Sequence, residues 1–178
     1  MCNAASIVSR MRKKFIMTIP APQNSPLVGH VHLKVADLER SIVFYRDVLG
    51  FDLTLRYGTQ AAFLGAGGYH HHIGLNTWSS SGATPPPKGH TGLYHAAFLY
   101  PDRAALAQVV RRVLDAGFPL DGAADHGVSE AVYLRDPDEN RVELYVDRDP
   151  AGWARDDDGT LHMMNAPFDV AALLAEVS

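Results

Sequence analysis

Two stretches of the chain repeat one pattern around a histidine. In GHVHLKVADLERSIVFYRDVLGF, His30 stands seven residues before Asp37, and in LYHAAFLYPDRAALAQVVRRVLDAGF, His95 stands seven before Asp102, so the copies are offset by 65. Each copy alternates like a strand and then turns to helical spacing, with the aspartate suited to cap the helix. Leu38, Ile42, Tyr45, Val48 and Leu49 make the apolar stripe of the first helix and Gly50 its stop. Leu106, Val109, Val110, Val113 and Leu114 do the same in the second copy, which ends at Gly117.

Three short extended segments follow each helix. FDLTLRY, QAAFLG and HHIGLNTW follow the first, and FPLDG, EAVYLRD and RVELYVD the second, so each half reads strand, helix, strand, strand, strand. This implies an α+β fold of two tandem βαβββ modules that form a curved half-barrel sheet. Module one spans 27–80 and module two 90–148, joined by the linker SSSGATPPPKG, whose proline and glycine suit a connection rather than regular structure. Residues 1–26 read as a disordered leader. Residues 149–178 read as a tail with a short helix begun by Asp169 and with Trp153 as its anchor.

Composition narrows the function classes. The single cysteine, Cys2, excludes a cysteine-based metal site and fits a reducing, cytoplasmic location. A net charge of -4 with no basic stripe argues against nucleic acid. No apolar run approaches the roughly 18–20 residues of a spanning helix, so a membrane is excluded as a partner. Arg40, Arg46, Arg103, Arg111 and Arg112 are expected on solvated helix faces.

On a strand, residues two apart share a face, so His30 and His32 look the same way. The repeat separates them, because His95 matches His30 whereas the residue matching His32 is Ala97, which binds no metal. If the half-sheets face each other, both imidazoles reach one cavity. Glu143 sits between Val142 and Leu144 in the last strand, and a carboxylate in so apolar a run must be paired, protonated or bound to a metal. Two histidines and one carboxylate form half an octahedron, the facial triad of non-haem Fe(II) oxygenases.

The motifs HVHLKVADLERSIVFYRDVLGF, YHHHIGLNTW and HGVSEAVYLRDPDENRVELYVD together resemble the vicinal oxygen chelate superfamily, which also includes glyoxalases and bleomycin resistance proteins. Within it, the third motif most resembles the extradiol ring-cleaving dioxygenases of the catechol 2,3-dioxygenase type. That resemblance implies Fe(II) held by His30, His95 and Glu143, with Mn, Ni, Zn or Co as alternative ions, and a small aromatic diol and O2 as substrates. It also implies a catalytic set: Tyr133, ten residues before Glu143, His126 of the HGVS segment, and an acid–base histidine within His70, His71 and His72. Strand parity favours His72, which shares a face with Gly74, the counterpart of Glu143.

The chain departs from the family pattern in three places. It carries two modules where many extradiol enzymes carry four, its His126–Tyr133 spacing is two residues short, and Glu139 replaces the glycine of a DPDGN turn. If position 139 requires positive φ, Glu139 is strained, unless Asn140 takes the left-handed role. A glyoxalase-like isomerase or lyase is the second reading, with His72 as a fourth ligand, and a non-enzymatic binder of small molecules is the third. Exposed sheet edges suggest a homodimer.

Overall fold

The computed structural model of the chain describes residues 25–177. The leader expected over 1–26 therefore lies almost wholly outside the described residues. The structure is mixed α+β, with sheets of four and five strands. Strand β1 (Val31–Lys34) leads into helix α1 (Leu38–Val43), followed by β2 (Asp52–Tyr57), β3 (Ala61–Gly65) and β4 (Ile73–Asn76). The second half repeats this order with β5 (Ala96–Leu99), α2 (Arg103–Asp115), β6 (Leu120–Asp125), β7 (Ser129–Arg135) and β8 (Arg141–Asp147). Both sheets run first strand, last strand, third, second, and in both the first and last strands pair in parallel.

The repeat extends to irregularities. Each module carries a register shift in its second strand, between Leu53 and Leu55 and between Leu120 and Gly122. Asp37 and Asp102 cap their helices, accepting from the N–H groups of Arg40 and Ala105.

The first helix differs from the regular one expected. After Val43 it widens into a π-helical stretch over Phe44–Val48, closed by the Leu49 N–H donating to the Phe44 carbonyl at 3.0 Å. The wider turn lets Phe44 enter the core beside Tyr45, and both are fully buried.

One apolar core serves both modules. Leu38, Ile42 and Leu49 of the first half join Leu106, Val109 and Val113 of the second. Burying each such side chain contributes roughly 1.5–3 kcal/mol. Two arginines expected in solvent make polar ties across the boundary instead, because the helices pack between modules. Arg112 Nε donates to the Val48 carbonyl at 2.9 Å, and Arg40 Nη2 to Asp138 Oδ1 at 2.6 Å.

The tail adds a ninth strand that the sequence did not suggest. β9 (Ala166–Pro167) pairs antiparallel with β6, and α3 (Val170–Leu174), capped by Asp169 as expected, buries Leu173 against α2. Leu173, rather than the half-buried Trp153, is the tail's anchor. Among the described residues no helix is long and apolar enough to cross a membrane.

Candidate active site

The site grows from the last strand of module two. Val142 and Leu144 face the core, which turns Glu143 to the opposite face, where register sets it between Ala97 on β5 and Tyr133 on β7. The turn that launches β8 is firmly held. Asp136 accepts from the Asn140 backbone at 2.8 Å, the Asn140 amide at 2.9 Å and the Tyr45 hydroxyl at 2.9 Å. Burial raises the pKa of Asp136 in spite of these donors. At the tip of this turn Glu139 has φ 64°, so position 139 carries the left-handed conformation and Asn140 does not.

Two predicted residues meet on Glu143, and a third reaches it through one of them. His95 Nε2 lies 3.0 Å from Oε2, and the Tyr133 hydroxyl donates to Oε1 at 3.0 Å. His126 Nε2 in turn lies 2.7 Å from the Tyr133 oxygen. Burial first and the Glu143 charge second push the Tyr133 hydroxyl up to about 12. It therefore stays protonated at neutral pH and serves as a hydrogen-bond group rather than a base.

His126 is clamped from the tail, which sequence reasoning missed. Its Nδ1 is 3.0 Å from the Met164 carbonyl, and the Met164 N–H donates to the His126 carbonyl at 3.1 Å. A carbonyl only accepts, so Nδ1 carries a proton and Nε2 is the nitrogen turned to Tyr133. Nothing in the spacing of a segment 38 residues away announces this clamp.

Module one supplies the other histidines. His30, His72 and His95 line one cavity of about 650 Å³ between β1 and β5, together with Phe51, Phe98 and Leu93. The His30 ring lies 4.5 Å from that of His71, whose pKa is lowered by burial and then by His30. His71 is thus a neighbour of the predicted ligand. His70 and His71 approach each other through their Nδ1 atoms at 2.7 Å. His72 Nδ1 accepts from the Ala66 N–H at 3.3 Å, so in its neutral form the proton sits on Nε2.

His32, set aside by the repeat, occupies the place where module two has its carboxylate. A Cβ on Gly74 would lie 2.8 Å from His32 Cγ, so the ring fills that space.

As the side chains stand, no three His, Cys, Asp or Glu among the described residues converge closely enough to hold an ion. The donor set nevertheless fits a divalent cation. His95 Nε2 and Glu143 Oε2 point at one another at a separation that neighbouring ligands also adopt on an octahedral ion with bonds of about 2.1 Å. His95 Nδ1 is buried and has no hydrogen-bond partner among the described residues, so the polar hold on this ring comes from Glu143.

Residues 27–144 match the family profile described as the Glyoxalase/Bleomycin resistance protein/Dioxygenase superfamily. The chain belongs to that superfamily. It is 39% identical over 149 residues to a catechol-2,3-dioxygenase of Bacillus subtilis (strain 168), a match covering 84% of this chain and 51% of that protein. With biphenyl-2,3-diol 1,2-dioxygenase 3 of Rhodococcus globerulus it shares 30% identity, covering 69% of this chain and 64% of the relative. The chain thus spans between half and two thirds of these relatives.

Among solved structures of the superfamily fold, a glyoxalase/dioxygenase from Nostoc punctiforme aligns with TM-score 0.60 at 22% identity, covering 74% of this chain and 98% of that one. A lactoylglutathione lyase from Agrobacterium tumefaciens aligns with TM-score 0.52 at 25% identity, covering 71% and 96%. The dioxygenase relatives support an enzyme, and the superfamily with them implies a divalent metal site.

Proposed function

We propose that the chain is a non-haem Fe(II)-dependent extradiol dioxygenase that opens a catechol-type aromatic diol with O2. The supporting observation is the convergence of His95 and Tyr133 on the two oxygens of one buried carboxylate, Glu143. His30, His95 and Glu143 would hold the ion. Bound there, Fe(II) would supply the Lewis acidity that favours the ionised diol and the redox partner that couples it to O2.

The chain's own groups divide the remaining work. Tyr133, protonated and with His126 beside its oxygen, would turn its single O–H from Glu143 to a diol oxygen once an ion took up the carboxylate. His126, held by the Met164 carbonyl through Nδ1, presents Nε2 on the Tyr133 side and exchanges a proton there. His72 presents Nε2–H to the cavity it shares with His30, which suits it to give and recover a proton rather than to bind an ion through that nitrogen. Phe51 and Phe98 exclude water from the cavity wall. The ring C–C bond beside the diol breaks and both atoms of O2 enter the product, so no external reductant is needed.

The test is anaerobic reconstitution with Fe(II), then catechol and 2,3-dihydroxybiphenyl in air. Ring cleavage gives a yellow product and consumes one O2 per diol. Iron bound without colour or oxygen uptake across a panel of diols would reject the activity. Stoichiometric nickel, zinc or cobalt with isomerase activity on a glutathione adduct would move the chain to the lyase reading, which the likeness to the Agrobacterium tumefaciens protein supports. That reading must find its fourth ligand away from Gly74, because the His32 ring leaves no room there.

A further inference from the structure

A second cavity, of about 460 Å³, also borders His95. His95 and Tyr133 belong to it, and its lining carries Tyr94, Arg141, Asn165 and the paired Arg135 and Asp121. Arg141 shares its strand face with Glu143, two residues on, and lies one step beyond the register pair Ala96–Val142, which sets it beside His95. Its cross-strand neighbour is Arg135.

The two guanidinium groups differ in their partners. Arg135 Nε pairs with Asp121 at 3.0 Å, and Arg135 reaches Glu139 at 3.4 Å. Arg141 has no carboxylate at ion-pair distance among the described residues; its Cζ stands 4.6 Å over the Tyr94 ring. Stacking engages only the face of a guanidinium and leaves its in-plane N–H fork free, the geometry that grips a carboxylate through two parallel bonds. Asp121 and Glu139 balance the charge of Arg135, so the uncompensated guanidinium charge of this pair is that of Arg141.

We infer that Arg141 is a specificity-determining residue that receives a carboxylate carried by the aromatic substrate, with Tyr94 holding the guanidinium ready and Asn165 of the tail closing the rim. The inference rests on the proposed diol chemistry only for the identity of the ring. The preferred substrate is then a carboxylated diol, with its ring over His95 and Tyr133 and its carboxylate on Arg141.

The test has two arms. In the first, metal-free full-length protein is titrated with benzoate and with benzyl alcohol while the His95 and Tyr94 resonances are followed. Benzoate should bind more tightly, lose affinity with added salt, and weaken about 10- to 100-fold in Arg141→Gln, as expected for losing a charged hydrogen-bond pair. Arg141→Lys should recover part of that loss. Arg155→Gln, which removes a guanidinium bonded to the Gly159 carbonyl, should leave benzoate affinity unchanged. In the second arm, Fe(II)-loaded protein is given 3,4-dihydroxyphenylacetate and catechol, and the ratio of their kcat/KM values should fall by a similar factor in Arg141→Gln, through KM. Benzoate binding equal to that of benzyl alcohol, or equal in Arg141→Gln and wild type, overturns the inference whether or not diols are cleaved. Specific benzoate binding without ring cleavage upholds it and rejects only the dioxygenase reading.

Discussion

Placing a methyl group on Gly74 tests whether the two modules exchange large and small residues at one position. Register pairs His32 with Gly74 in the first sheet and Ala97 with Glu143 in the second. The added Cβ of Gly74→Ala would sit 2.8 to 3.0 Å from three atoms of the His32 ring. The ring must then swing out of its contacts with Phe63 and Trp78, whose centroids lie 5.8 and 5.7 Å away. Overpacking of this kind costs roughly 1–3 kcal/mol, against about 0.5–1 kcal/mol gained by removing glycine from a strand. The net loss is about 1.2 kcal/mol, a fall of roughly 2–5 °C in Tm for a domain of this size. His32→Ala combined with Gly74→Ala removes the clash and should bring stability back to within about 0.5 kcal/mol of wild type. Urea unfolding of metal-free protein completes the double-mutant cycle. A Gly74→Ala variant as stable as wild type, or a double variant no better than the single one, would refute the exchange.

Other perturbations follow from the same contacts. Ultraviolet titration of metal-free protein, wild type minus Tyr133→Phe, should place the Tyr133 ionisation near pH 12; a step near pH 10 contradicts the hydrogen bond to Glu143. Because the folded pKa lies above the unfolded one, the Tyr133 contribution to stability is intact below about pH 10 and lost as pH rises toward 12. Glu139→Gly should stabilise by about 0.5 kcal/mol, since relief of roughly 1–2 kcal/mol of left-handed strain exceeds the entropic cost of glycine. A lower Tm would reject that account. Tyr45→Phe leaves buried Asp136 one donor short and should cost about 1–2 kcal/mol by urea unfolding, whereas unchanged stability would remove Tyr45 from the support of the turn.

The strand–helix punctuation was legible because it is local chemistry. Asp37 and Asp102 cap where capping spacing puts them, and Gly50 and Gly117 take the positive φ their helix ends require. The burial of Glu143 was legible for the same reason, since alternation with Val142 and Leu144 leaves it one face. The tail's part in the site was not, because β9 is two residues long and its clamp on His126 uses Met164 backbone atoms, which any residue possesses. Arg141 escaped notice because the pattern around Glu143 reads as a strand, and only the register shows that an arginine stands beside His95.

Duplication gives the two modules matched positions that they fill differently. Matched positions across the first sheet read His32, Gly74, Phe63 and Leu55, and across the second Ala97, Glu143, Tyr133 and Gly122. The backbone supplies the same four places twice, down to the register shift in the second strand. The carboxylate and hydroxyl at Glu143 and Tyr133 face a glycine and a phenyl ring in the other copy. A buried carboxylate is tolerated only where partners meet it, and His95 and Tyr133 do so in module two alone. In module one a histidine ring fills the same space and makes aromatic contacts, which need no counter-charge. The cavity between β1 and β5 sets Phe51 and Phe98 beside His30, His72 and His95, apolar and polar groups in one space. An aromatic ring bearing hydroxyl groups on one edge is the kind of molecule that such a lining accepts, and an ion shared by His30, His95 and Glu143 would draw on both modules.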